Sequence, residues 1–156
     1  MNFTTAISIS GTMEPVVKFT APKPGWKLEE VLIMATDGWN STSKEQPGPL
    51  PFTLEVRDDT SGLLYHYEGV QLPYFTSNVP GEIRMATIEL PAIPVSNDFY
   101  VCFNGYGNLY LGAELDNITG NSYYYDMRNG DLYKGFIPLT NNKNIPVNWL
   151  IRAAGE

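Results

Sequence analysis

The sequence predicts an all-β protein, an antiparallel β-sandwich of jelly-roll type built from about ten short strands. Three observations carry that expectation. Phe52, Leu54 and Val56 alternate with Thr53, Glu55 and Arg57, the period of two that marks a half-buried strand, and an Asp-Asp-Thr-Ser-Gly turn follows at once. The same alternation returns at Phe99, Val101 and Phe103 against Tyr100 and Cys102, and at Trp149 and Ile151 against Leu150 and Arg152. Between these runs Gly, Pro and Asn recur, and no stretch shows a convincing amphipathic-helix period.

Taken in order, residues 16–20 read as a first strand, closed by the proline-rich stretch 21–25 because proline has no N–H to donate to a ladder. Residues 28–36 form a second, with the apolar run Val31, Leu32, Ile33, Met34 and Ala35. A length of about nine and the flanking Pro-Gly and Asp-Gly pairs favour a buried strand over a helix there. Residues 40–49 are a polar loop with two prolines. The strand 52–58 is followed by its return at 63–68, a short apolar piece at 70–75, a loop at 76–82, and a strand at 83–90 ended by Pro91 and Pro94. Strands at 99–104, 109–112, 122–127, 132–137 and 147–153 complete the series. Asn129-Gly130, between two of these, is the type I′ hairpin signal. The core is expected at Phe52, Leu54, Val56, Phe99, Val101, Phe103, Trp149 and Ile151.

A chain of 156 residues fits one domain, 1–156, large enough to bury a core, and 43% hydrophobic residues argue against disorder. Charged residues supply only 17%, with 17 acidic against 10 basic and a net charge of -7. That balance, without clustered Lys or Arg, is a poor match for nucleic acid or anionic lipid. No run approaches the ~18 apolar residues of a membrane span, so no membrane insertion is expected. Residues 1–5 carry neither a basic nor an apolar leader region, so the expectation is a domain of a longer surface protein, with a cytoplasmic protein as the alternative. Cys102 is the single cysteine, so no internal disulfide forms, and its strand context makes it a small half-buried residue rather than a nucleophile.

Aromatic residues reach 13%, including ten tyrosines. Trp26, Trp39, Tyr74, Tyr106 and Tyr110 fall in or beside turns, where an exposed ring offers a flat apolar face to a sugar while nearby amides and carboxylates bond its hydroxyls. The competing reading has these rings capping the ends of the core. Glu114, Asp116 and Asp126 are hard oxygen donors of the kind Ca²⁺ takes, although their spacing matches no EF-hand and Asp is also an ordinary turn residue. Calcium is thus the one cofactor these residues leave open. Catalytic signals are thin. One histidine rules out multi-histidine zinc sites, and no nucleophile elbow or phosphate loop is present. Glu55, Glu89, Glu114 and Asp116 could serve a carboxylate-dependent glycosidase, as could the acids of any acidic chain. Asn40-Ser41-Thr42 and Asn117-Ile118-Thr119 are glycosylation sequons.

Five segments together carry a resemblance: residues 98–103, 109–112, 121–123, 148–153, and 52–58 with Leu64 and Tyr65. The series resembles the β-sandwich accessory domains of prokaryotic extracellular and cell-surface proteins, over roughly residues 16–153. It departs from them at Arg57, where an aromatic residue is usual. The resemblance implies an extracellular, non-catalytic module and carries over no catalytic residue. The leading expectation is therefore an accessory domain binding a polysaccharide or another surface polymer through loop aromatics. The alternatives are a structural or protein–protein interaction domain facing a cell-surface protein, and a small glycosidase.

Overall fold

The computed structural model describes residues 5–9, 12–36, 51–70, 85–138 and 143–156. Among these there is no helix, and every paired strand runs antiparallel. The strands are β1 Thr5–Ser8, β2 Met13–Thr20, β3 Lys27–Thr36, β4 Phe52–Asp58, β5 Leu63–Gly69, β6 Met85–Pro94 and β7 Asp98–Asn104. They continue with β8 Tyr110–Glu114, β9 Ser122–Asp126, β10 Leu132–Lys134, β11 Phe136–Pro138, β12 Asn144–Pro146, β13 Asn148–Trp149 and β14 Ile151–Gly155. The predicted all-β sandwich-like fold is therefore what forms. The expected loops 40–49 and 76–82, most of the piece 70–75, and residues 83 and 84 lie outside the described residues.

Two six-stranded sheets hold the core between them. In the first, β8, β14 and β6 all pair with β3, and β1 and β13 pair with β8. The second runs β10-β9-β2-β7-β4-β5, and β11 with β12 forms a separate ribbon. Period-two alternation sets the inner faces: all eight expected core residues are buried, with Phe52, Leu54, Val56 and Val101 wholly so. Phe52 and Phe103 sit 5.9 Å apart, centroid to centroid, across β4 and β7. Trp149 ties the sheets together, its backbone N–H donating to Ser122 Oγ at 2.9 Å and its indole N–H to the Tyr123 carbonyl at 3.0 Å.

Three expectations about local structure change. The first strand begins at Met13 and takes in Pro15, because the β2–β7 ladder starts only at Val16 and the missing N–H removes nothing from it. The strand expected to end at Pro91 runs on to Pro94. Leu28 and Glu30 of β3 face Ile93 and Glu89, so Pro91 falls in a bulge on a strand whose one described neighbour is β3. The Asn129-Gly130 turn is not type I′, which needs positive φ at both residues. Only Gly130 has it, at 76°, and Asp126 N–H donates to Asp131 O while Gly130 N–H donates to Asp126 O across a four-residue loop.

Gly69 closes β5 directly against the Phe52 ring, and a Cβ there would run into that ring. Gly69→Ala is expected to cost about 1–3 kcal/mol by overpacking, read as a lower urea midpoint. An unchanged midpoint would show that the ring can yield.

Candidate functional site

The outer face of the β10-β9-β2-β7-β4-β5 sheet is where polar chemistry collects. Register places His66 of β5 opposite Glu55 of β4, Glu55 opposite Cys102 of β7, Cys102 opposite Val16 of β2, and Val16 opposite Tyr123 of β9. Such cross-strand neighbours stand within side-chain reach of one another. A solvent-facing strand face would leave its carboxylates in water, yet Glu55 is 8% exposed and Glu14, two residues before Val16, only 1%.

The buried charges are partly paired. Arg57 Nη2 donates to both Glu55 oxygens at 3.2 and 3.3 Å, Nη1 donates to the Ser61 carbonyl at 2.9 Å, and the guanidinium lies 5.0 Å from the Tyr125 ring centre. His66 bridges two acids, Nδ1 to Glu55 Oε2 and Nε2 to Glu68 Oε1, each at 3.2 Å. Among the described residues, Glu14 Oε2 and Arg57 Nε are buried with no hydrogen-bond partner. Burial first, and the Glu55 charge second, push the Glu14 carboxyl up to about 7, with Arg57 and His66 opposing. His66 is raised by its bonds to Glu68 and Glu55, and burial pushes the Cys102 thiol far up. Cys102 is therefore an inert, protonated thiol.

This charged row adjoins an open groove of about 550 Å³ lined by Pro51, Thr53, Glu68, Gly69, Val70 and Tyr106. Tyr106 is built in with care. Asn108 N–H donates to the Gly105 carbonyl at 2.9 Å while Tyr106 and Gly107 have φ of 53° and 75°, the φ pattern of a type I′ turn. A side chain in the left-handed region is strained, and a strained residue with an exposed ring points to function. The Asn104 carboxamide oxygen holds the turn by accepting from Tyr106 N–H at 2.8 Å, and Tyr106 OH reaches Thr53 Oγ1 at 3.4 Å. Tyr106 is 45% exposed and Val70, also lining the groove, 67%.

The expected sites divide. Tyr106 lies in the groove. Tyr110 is also exposed but belongs to β8, opposite Ser8 and Thr36 in the other sheet, and does not line that groove. Trp26 is 7% exposed and packs 5.8 Å from Phe99, so it is a core residue rather than a stacking platform. Trp39 and Tyr74 lie outside the described residues. The calcium set is not assembled. Glu114 sits on β8 opposite Asn148, Asp116 is exposed beyond that strand, and Asp126 ends β9 in the other sheet. Both Asp126 oxygens are taken by Arg128, from Nε at 3.1 Å, Nη2 at 3.0 Å and the backbone N–H at 2.9 Å, and these bonds hold its carboxyl below the ordinary range. Among the described residues no group of three or more His, Cys, Asp or Glu could hold a metal ion.

Sequence reading missed Glu14 because the first strand was expected to begin only at Val16, which left Glu14 outside it. The available signal was the parity of Glu14, Val16 and Lys18 against Val17 and Phe19. No family model matches the chain, and a search of curated proteins finds no relative of it. Among the described residues there is no helix long and apolar enough to cross a membrane.

Proposed function

We propose that the protein is a non-catalytic accessory module of extracellular or cell-surface type that binds carbohydrate in the groove beside Tyr106. The observation that carries this reading is the strained, exposed Tyr106 facing Thr53, Glu68 and Val70: one aromatic platform with a hydroxyl, a carboxylate and an apolar wall around it. A glycosidase needs two carboxyls that both reach the scissile bond. Burial of Glu14 and Glu55 withholds the pair on this face from a substrate, which favours binding without catalysis.

Affinity gel electrophoresis through neutral soluble polysaccharides (dextran, xylan and a β-1,3-glucan) tests it. Tyr106→Ala should weaken retardation about tenfold, ring stacking being worth on the order of 1 kcal/mol or more. Tyr106→Gly should do the same with stability unchanged or raised by less than about 1 kcal/mol, because glycine relieves the positive φ. Loss of stability with retardation intact would make the ring a structural element and end the proposal.

A further inference from the structure

The Glu68 wall of the groove is wired to the buried charges by one imidazole. His66 touches Glu68 through Nε2 and Glu55 through Nδ1, Glu55 holds Arg57, and Glu14 shares their burial. We propose that His66 is a proton-operated switch that occupies the Glu68 carboxylate at the groove wall when protonated and frees it to bond a ligand when neutral. The proposal rests on the groove being the binding site.

The chemistry follows from counting donors. A protonated imidazole carries two N–H groups and satisfies both carboxylates at once. When the proton leaves to water, one N–H remains, and only one of the two bonds survives. Glu55 keeps it, because its side chain is 10% exposed against 77% for Glu68, and solvent and salt screen a buried contact less. Nε2 then turns a lone pair toward Glu68 Oε1, and the carboxylate swings free beside Thr53, its cross-strand partner on the groove wall.

The groups facing this switch come from each packed element. On β5 itself stands Glu68; β4 contributes Glu55 and Arg57, β2 contributes Glu14, β7 contributes Cys102, and Tyr125 of β9 lies under Arg57. The two carboxylates it bonds raise the His66 pKa, while Glu14 changes charge near pH 7. His66 is also the only histidine in the chain, so its ring signals need no assignment by mutation.

The test has two arms. In the first, NMR signals of the Tyr106 ring and Val70 methyls are followed from pH 5 to 9. They should move with the same midpoint as the His66 Cε1–H in the native protein and stay flat in His66→Gln, whose half-exposed site makes unfolding no concern. Groove signals indifferent to the His66 midpoint would overturn the switch. In the second, affinity for the same three polysaccharides should rise about two- to tenfold above the midpoint, the effect of one hydrogen bond, and lose that dependence in His66→Gln. Binding with no pH dependence overturns the switch and leaves the groove. No binding at any pH, with the NMR coupling intact, overturns the carbohydrate reading and leaves the switch.

Discussion

Phe103→Ala is expected to destabilise the protein by about 3–5 kcal/mol, the usual cost of emptying a large aromatic site that cannot collapse. Phe103 is 1% exposed on β7, a strand flanked by both β2 and β4, and it packs 5.9 Å from Phe52. Neither neighbouring strand can move inward without breaking its own ladder, so most of the cavity should persist. Phe99→Ala should behave alike, since that ring contacts both Phe19 and Trp26. Urea denaturation measures both variants. A loss below about 1 kcal/mol at both positions would mean that the site relaxes to close the cavity.

The second large effect is a fall in stability as pH rises from about 4.5 to about 7. Glu14 titrates near 7 in the folded chain against an ordinary 4.5. Across that window the folded state binds a proton that the unfolded state has released, and stability therefore drops with pH before levelling off above 7. The full amplitude is on the order of 3 kcal/mol at about 1.4 kcal/mol per unit. His66 acts in the same direction: its bonds to Glu68 and Glu55 stabilise the fold below its ordinary 6.5 and are lost as pH passes its raised folded value. Asp58, Asp98 and Asp126, each held below 3.8 by hydrogen bonds, contribute stability that disappears in stronger acid. Stability should accordingly peak between about pH 4 and 5. Glu14→Gln removes the buried charge and should flatten most of the descent, leaving the variant more stable than the native chain at pH 8. Parallel pH curves for the two proteins would show that Glu14 does not carry the effect.

What could be read in advance followed from how locally each feature is determined. The strand 52–58 matched its structural bounds to the residue, because alternation, a proline before it and an Asp-rich turn after it all act within a few bonds. Pro91 misled for the opposite reason. Whether a missing N–H matters depends on the neighbouring strand, which local sequence does not reveal. Trp26 sits beside a proline-rich turn, as an exposed ring would, but the fold of that turn carries the indole inward to Phe99. Tyr106 was legible as a candidate from its glycine neighbours. Its strained φ and its partner Thr53, far away in sequence, were not. The Glu14 cluster was the least legible of all, since four strands must align before its members meet.

Among the described residues β6 pairs with β3 alone, and its bulge has a consequence for how copies of this chain meet. Pro91 and Pro94 are exposed there, neither has an N–H to offer, and the backbone between Glu89 and Ile93 departs from regular pairing. An incoming strand that reached this bulged stretch would find no N–H at Pro91 or Pro94 and a curvature it cannot follow, so a ladder could not run on past Leu90. Copies of this chain that meet at this end of β6 can therefore touch without joining their sheets through it.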